Sequence, residues 1–413
     1  MADEFYDDLE TRDPEQRERH LFGALPELIR HAKRTAPAIG RALSDISAAE
    51  VRDRAALARL PVLRKSELIA RQAADMPFGG LAAVATGAMS RIFASPGPIY
   101  DPETRKRDYW RFARALFAAG FRKGDILHNC FAYHFTPAGA MIETGAHALG
   151  CAVFPGGTGQ TESQVRAIAD LKPAGYGGTP SFLKIILEKA REMGADVSSL
   201  RKALVSGEAL PPALRAEIAG HGCAALQAYG SADLGLVAYE SRAREGMILD
   251  EQVIVEIVRP GTGDPLPEGE VGEVVVTTFN RAYPLIRFAT GDLSALLPGA
   301  SPCGRTNGRI RGWLGRADQT TKVKGMFVHP GQIAEVIKRH KNLGRYRLVV
   351  DNIDANDVMT LKVEHPAGHD DALAARIAET LQTVTKMRGE IELLKPGTLP
   401  NDGKVIEDIR SYD

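Results

Sequence analysis

Six short stretches of this chain combine residue types that could do chemistry. In QAYGSADLG, residues 227–235, Tyr229 sets an aromatic face beside Gly230, which has no side chain, and the pair suits a stacked ring. Asp233, in the same stretch, offers a hard oxygen ligand to Mg²⁺ bound alongside phosphates. In RFATGDL, residues 287–293, Asp292 follows a glycine at an expected strand end, a place from which a carboxylate accepts two ribose hydroxyls. GRADQTTKVKG, residues 315–325, sets Arg316, Asp318, Lys322 and Lys324 between glycines. That is the make-up of a hinge, in which a few linker residues absorb large backbone rotations. In LPNDGKVIEDIR, residues 399–410, a turn delivers Lys404, and a lysine at the tip of a mobile element neutralises charge developing on a carboxylate and a phosphate. LVSGEAL, residues 204–210, runs a strand into Ser-Gly-Glu, where glycine lets a flat ligand approach the backbone. RIFASPGPIYDP, residues 91–102, leads a strand into a small-residue loop of the kind that cradles phosphate through backbone N–H groups. Two prolines there remove two donors, and Asp101 adds a negative charge. Each stretch also has a commonplace reading. These are a surface acidic loop for Asp233, a tight turn for Asp292, a charged linker for 315–325, a solvated lysine for Lys404, and plain turns for the other two.

The elements that must position these residues follow from periodicity. Asp13-Pro14 caps a helix over 13–34, with Leu21, Leu25, Leu28 and Ile29 as its apolar stripe and Pro26 as an expected kink. A helix is expected over 104–119, ended by Gly120, then a strand over 125–131, a helix over 138–149 ended by Gly150, a strand over 151–155 and a helix over 160–171. Alternating strand and helix predicts a mostly parallel sheet with both faces covered. After about residue 250 the pattern changes: VIVEIV and EVVVTTF, separated by PGTGDPLPEGEVG, predict an antiparallel, β-rich subdomain over about 250–317. The last hundred residues form a unit of their own. They comprise a helix over 330–340, strands YRLVVDN and VMTLKVEH, an amphipathic helix over 369–386 with Leu373, Ile377, Leu381 and Val384 on one face, and a strand IELLK. The expected division is 1–317 and 318–413.

Composition narrows the class. Lys plus Arg and Asp plus Glu are both 52, which supports neither a nucleic-acid nor an anionic-membrane partner and is compatible with a homodimer. Cys130, Cys151, Cys223 and Cys303 are widely spaced with no C-x-x-C, so neither a zinc site nor a disulfide framework is expected, and Cys130 and Cys151 read as buried thiols. The opening MADEFYDDLE lacks the apolar run of a signal peptide, and no stretch is long and apolar enough to span a bilayer. The expectation is a cytoplasmic α/β protein.

The order of the six stretches is more specific than any one of them. A Pro/Gly loop, SGEAL, AYGSAD, TGD, GRADQTTKVKG and a late GK, in that order, strongly resemble the adenylate-forming superfamily of acyl-CoA synthetases. Within it the chain resembles the phenylacetate–CoA ligase family, through YDDLE…LPELIRHAKRTAP, LPVLRKSEL at 60–68, FPGGTGQTESQ at 154–164 and FNRAYPLIRFATGDL at 279–293. The resemblance implies a large N-terminal adenylating domain and a small α+β lid. It also implies two half-reactions: a carboxylic acid, aryl or arylacetic, attacks ATP to give acyl-AMP and pyrophosphate, and CoA thiol then takes the acyl group.

By matching positions it implies Ser95, Gly97, Gly207, Glu208, Ala209, Ala228, Tyr229, Gly230, Ser231, Asp292 and Arg316 around the nucleotide. Asp233 takes the Mg²⁺ and catalytic acidic place and Lys404 serves adenylation. Asp318 is the pivot, and Lys324 and Gly325 face CoA. Tyr133, His134, Phe135 and Gly156 wall the acyl pocket, floored by Ala209, Ala228 and Gly230. The family's Ser/Thr/Gly-rich loop is replaced here by Ser95-Pro-Gly97-Pro, and Asp233 stands where Glu is usual. Two further readings therefore stay beside the ligase: an adenylating transferase that delivers to a carrier protein or another nucleophile, and an impaired relative that binds nucleotide or acyl ligand.

Overall fold

The structure is a computed structural model describing residues 4–95, 98–319, 321–323, 326–353, 356–401 and 404–410. Its chain gathers into two compact units, Met1–Thr290 with Ala295–Trp313, and Gly291–Ser294 with Leu314–Asp413.

The first unit is built on a nine-stranded sheet. Its parallel half alternates strand and helix without exception: Ile126–Asn129, helix Ala138–Leu149, Ala152–Phe154, helix Thr161–Leu171, Gly175–Gly178, helix Pro180–Met193, Lys202–Val205, helix Pro212–Gly220 and Ala224–Ser231. Parallel pairing needs a crossover after each strand, and these helices supply it. They cover both faces, as alternate residues of one strand show. Ala203 and Val205 pack with Leu183, Ile186 and Ile218 on one side. Leu204 packs with Leu127, Ile142 and Ala146 on the other. Beyond Ala224–Ser231 the sheet turns antiparallel through Gly235–Glu240, Met247–Leu249, Arg309–Ile310 and Leu296–Leu297.

The expected antiparallel subdomain is present. Val253–Val258 pairs with Gly272–Thr278, residue Val253 opposite Thr278. Phe288–Ser294 and Leu63–Arg64 extend that sheet, the last pair parallel. The Asp13 carboxylate accepts from the Gln16 N–H at 2.9 Å and opens helix Pro14–Thr35, which runs through Pro26 as one assigned element. Cys130, Cys151 and Cys223 are buried free thiols, and burial pushes Cys130 up to about 12 and Cys151 up to about 11. Among the described residues, no helix is long and apolar enough to cross a membrane.

Two expectations are corrected here. The helix expected over 104–119 begins only at Phe112. Asp108 and Arg111 adopt left-handed backbone, with φ of 47° and 67°, and the Asp108 carboxylate accepts from the Ala113 N–H at 3.2 Å. The buried Arg111 guanidinium explains the break. It donates to Asp250 at 2.9 Å and to the carbonyls of Leu234 and Leu236 at 2.6 and 2.8 Å, so tertiary bonds outweigh local helix propensity. The later part of the loop expected after RIFA is a strand: Ile99–Glu103 pairs with Arg91–Ser95, Ser95 opposite Ile99. Pro102 is tolerated because the ribbon has only two strands.

The second unit holds a four-stranded sheet ordered Glu390–Leu394, Asn356–Glu364, Tyr346–Ile353, Ile406–Asp408. Helices Pro330–Lys338 and Asp371–Thr385 supply Ile333, Val336, Leu373, Ile377 and Leu381 to a core with Leu348, Val350, Leu361 and Val363. Ile406–Asp408, parallel to Tyr346–Ile353, was not expected: three residues are too few to show an alternating pattern.

Arg287 is 2% exposed, and its guanidinium donates to Glu256 at 3.1 Å and to the carbonyls of Ala58, Leu60 and Gly263 at 2.6 to 2.7 Å. One cation thus fixes three chain segments. Arg287→Met leaves Glu256 and three carbonyls without that partner, and is expected to cost about 3–5 kcal/mol of unfolding free energy. Urea denaturation of both proteins measures it; a loss below about 1 kcal/mol, the range of an exposed pair, contradicts the assignment.

Candidate active site

In an open parallel sheet, ligand sites form beyond the carboxyl ends of the strands. The expected residues of the first unit gather there. Gly156 follows Ala152–Phe154, Gly207-Glu208-Ala209 follow Lys202–Val205, and Tyr229, Gly230, Ser231 and Asp233 end Ala224–Ser231 and its turn. Tyr133, His134 and Phe135 follow Ile126–Asn129. A cavity of about 770 Å³ lined by Gly120, Arg201, Lys202, Arg242 and Arg244 opens instead at the amino ends of these strands, and none of the expected residues lines it.

Hydrogen bonds join some of these residues into groups. Ser206 Oγ donates to the Ala228 carbonyl at 2.8 Å, and Gln227 Nε2 to the Glu208 carbonyl at 2.9 Å, tying SGEAL to the neighbouring strand. Gly207, Glu208 and Ala209 are exposed, and the Glu208 carboxylate accepts from the Ser181 N–H at 3.4 Å. Ala228 points its methyl into the apolar core. Tyr229 is half-buried and donates to Thr290 Oγ1 at 3.3 Å. Gly230 lacks a side chain for a reason internal to the fold: a Cβ there would stand 2.5 Å from the Gly235 carbonyl oxygen.

The acyl-pocket candidates divide. Tyr133 is half-buried and its hydroxyl accepts from Asn129 Nδ2 at 2.7 Å, whereas His134 and Phe135 are exposed, Phe135 by 77%. Gly156 belongs to a loop latched by Gln164. Gln164 Nε2 donates to the carbonyls of Gly156 and Gly157 at 2.9 and 3.1 Å, and its Oε1 meets His128 Nε2 at 2.7 Å.

The densest polar group surrounds Asp233. Its buried carboxylate accepts from Lys65 Nζ at 2.6 Å and Ser231 Oγ at 3.3 Å. Asp101 lies within hydrogen-bonding reach of it and is fully buried, with Ser95 Oγ donating to its Oδ2 at 2.9 Å. Burial, then the charge of Asp233, holds the Asp101 carboxyl well above the usual carboxylate range, although Ser95 and Lys65 pull it down. Gln72 fixes the hairpin next to it, donating to the Tyr100 carbonyl at 2.9 Å and accepting from the Tyr100 N–H at 2.8 Å. Sequence reasoning did not assign Lys65 to the site. Its only signal was its place in LPVLRKSEL, far from the other stretches along the chain.

In the second unit Arg316 donates to Asp292 at 3.2 Å, and the two also form an isolated backbone bridge. A Cβ at Gly291 would stand 2.7 Å from the Arg316 guanidinium, so the TGD glycine makes room for it. Lys404 is 55% exposed at its side chain and lies 3.7 Å from Glu407. Asp318 falls in the short helical turn Ala317–Gln319. Gly97, Lys324 and Gly325 lie outside the described residues.

The chain is similar to AMP-binding enzymes in both of its units. The model of that family, "AMP-binding enzyme", matches residues 107–281, and that of the "AMP-binding enzyme C-terminal domain" matches 325–409. Phenylacetate-coenzyme A ligase of Aromatoleum evansii is 31% identical over 89% of this chain and 88% of its own length. That of Thermus thermophilus is 33% identical over 83% and 84%. Among solved structures, an open conformation of 2-hydroxyisobutyryl-CoA ligase shares the fold with a TM-score of 0.87 at 24% identity, covering 98% of this chain and 95% of that one. The chain belongs to the phenylacetate–CoA ligase family of AMP-binding enzymes.

The Asp101–Asp233 pair has a consequence for stability. Its folded-state affinity for a proton exceeds that of the unfolded chain, so folding takes up a proton and stability falls as pH rises above the unfolded carboxylate range. Asp101→Asn removes that ionisation while preserving shape. In metal-free buffer its denaturation midpoint is expected to match the parent near pH 5 and exceed it increasingly toward pH 9. A constant difference across that range contradicts the buried-pair account.

Proposed function

We propose that the protein activates a carboxylic acid, aryl or arylacetic, with ATP and passes the acyl group to CoA. The observation that carries this reading is the convergence of Glu208, Tyr229 and Asp233 at the carboxyl ends of the parallel strands, in a chain of this family. The relatives are named for phenylacetate and coenzyme A, and the structural neighbour was solved with its acyl-AMP and CoA.

In the first half-reaction a carboxylate oxygen attacks the α-phosphorus and the bond to pyrophosphate breaks. Both partners are anions, so the barrier falls chiefly through fixed positive charge and donors rather than through a protein nucleophile. In this reading Ser95, Gly97, Gly207, Glu208, Ala209, Ala228, Tyr229, Gly230 and Ser231 surround the nucleotide, and Asp292 with Arg316 holds the ribose. Lys404 serves adenylation. Tyr133, His134, Phe135 and Gly156 face the acid. In the second half-reaction CoA sulfur attacks the acyl carbon and AMP leaves. Residues 318–413 act as a lid pivoting at Asp318, with Lys324 and Gly325 facing CoA. The partners are small molecules available in the cytoplasm, where we place the protein.

Mg²⁺ fits the residues present. Asp101 and Asp233 each carry one buried carboxylate oxygen with no hydrogen-bond donor. A divalent cation there would offset the charge of the phosphates.

Pyrophosphate release across a panel of carboxylic acids, with and without CoA, tests the reading. Acid-dependent release followed by thioester is expected. Silence with every acid sinks the enzyme, and adenylation without thioester in the presence of CoA points to a different acceptor. Lys404→Ala is expected to slow adenylation by about two orders of magnitude while sparing thioester formation from supplied acyl-AMP. Equal losses in both half-reactions contradict its role.

A further inference from the structure

In the hairpin Arg91–Ser95/Ile99–Glu103, Ser95 lies opposite Ile99. The sequence between the two strands is Pro96-Gly97-Pro98. Proline has no backbone N–H, so these three residues offer a single amide donor, that of Gly97. A nest of successive amides, the ordinary way to cradle phosphate, is chemically excluded.

Something else must carry the charge. Asp101, on the outgoing strand of the hairpin, is fully buried and within hydrogen-bonding reach of Asp233. Ser95 occupies its Oδ2, while its Oδ1 has no donor. Asp233 repeats the pattern, with Lys65 and Ser231 on Oδ2 and no donor on Oδ1. Gln72 bonds both backbone groups of Tyr100 and so fixes the strand immediately before Asp101. The two buried carboxylates share one nearby lysine, and the oxygen of each that no donor reaches is a place a divalent cation would fill.

We propose, on the basis of the ligase reading above, that Asp101 is a second protein ligand, beside Asp233, for the divalent cation that accompanies the nucleotide. In this chain the two-carboxylate seat replaces the amide-rich phosphate loop. Among the described residues no third His, Cys, Asp or Glu joins the pair to make a closed metal cage. The remaining ligands are then water and phosphate oxygens, the coordination Mg²⁺ favours. The cation and the nucleotide bind together, each weak without the other. Lys65 stays on the outer oxygen of Asp233 and keeps that carboxylate aimed.

Mn²⁺, read by electron paramagnetic resonance, tests this on the full chain without turnover. In the presence of α,β-methylene-ATP the parent protein is expected to bind Mn²⁺ in a ternary complex. Asp101→Asn is expected to weaken Mn²⁺ binding by about tenfold or more. Asp101→Glu keeps the charge but moves it by one methylene, so it should bind Mn²⁺ with an altered spectrum or affinity. No protein-bound Mn²⁺ in the parent with the nucleotide overturns the proposal, as does parental affinity in Asp101→Asn. Should Asp101→Asn fail to fold, a spectrum and affinity of Asp101→Glu identical to the parent overturns it as well. Because nothing here depends on catalysis, Asp101-dependent Mn²⁺ binding with no acid-dependent pyrophosphate release would sink the ligase reading and leave the cation site standing.

Discussion

The turn from Ser231 to Gly235 closes only because two glycines let backbones meet. A side chain at Gly230 would strike the Gly235 carbonyl, and one at Gly235, whose φ is 72°, would stand 2.7 Å from the Trp110 carbonyl oxygen. The Leu236 N–H donates to that same carbonyl at 2.9 Å. This packing lets a strand that pairs parallel on one side turn back antiparallel on the other. The switch in direction ends the run of crossover helices and leaves Asp233 in the turn at the carboxyl edge. It also brings Leu234 and Leu236 to Arg111, whose three bonds set the start of the helix Phe112–Ala118. The polar site and the irregular segment before that helix share one cause.

The hairpin beside Asp233 holds together with few amide donors at its end. Pro96 and Pro98 supply none, yet Ser95 pairs with Ile99 and Gln72 grips Tyr100. Asp101 then sits where burial costs most, and the neighbouring Lys65 offsets only part of that cost.

Much of this was legible in the sequence because the relevant signals are local. Gly150 ends the helix Ala138–Leu149 with φ of 82°, and VIVEIV and EVVVTTF pair as their patterns require. The amphipathic face of Asp371–Thr385 buries Leu373, Ile377 and Leu381, as its spacing demands. What was not legible depends on distant partners. Residues 105–111 have helical composition, but Arg111 is captured by Asp250 and two carbonyls. Asp101 was visible as a misplaced negative charge, yet nothing local joined it to Asp233. Lys65 lay in a stretch whose only interest was likeness. The glycines were half understood: Gly230 was read as room for a stacked ring, whereas the Gly235 carbonyl fills the space beside it, and the role of Gly291 in making room for the Arg316 guanidinium was not read at all.

The strand Ile406–Asp408, which immediately follows the segment carrying Lys404, pairs with Tyr346–Ile353, and Asp408 and Arg410 also bond the side chain of Thr321. The partners are made well before it. During synthesis, therefore, the small unit can assemble its helices and central hairpin early, but its sheet edge stays open until the chain has emerged through Asp408. That pairing, together with the Val405 N–H donating to Gln319 Oε1 at 2.8 Å, sets the register of the segment that carries Lys404.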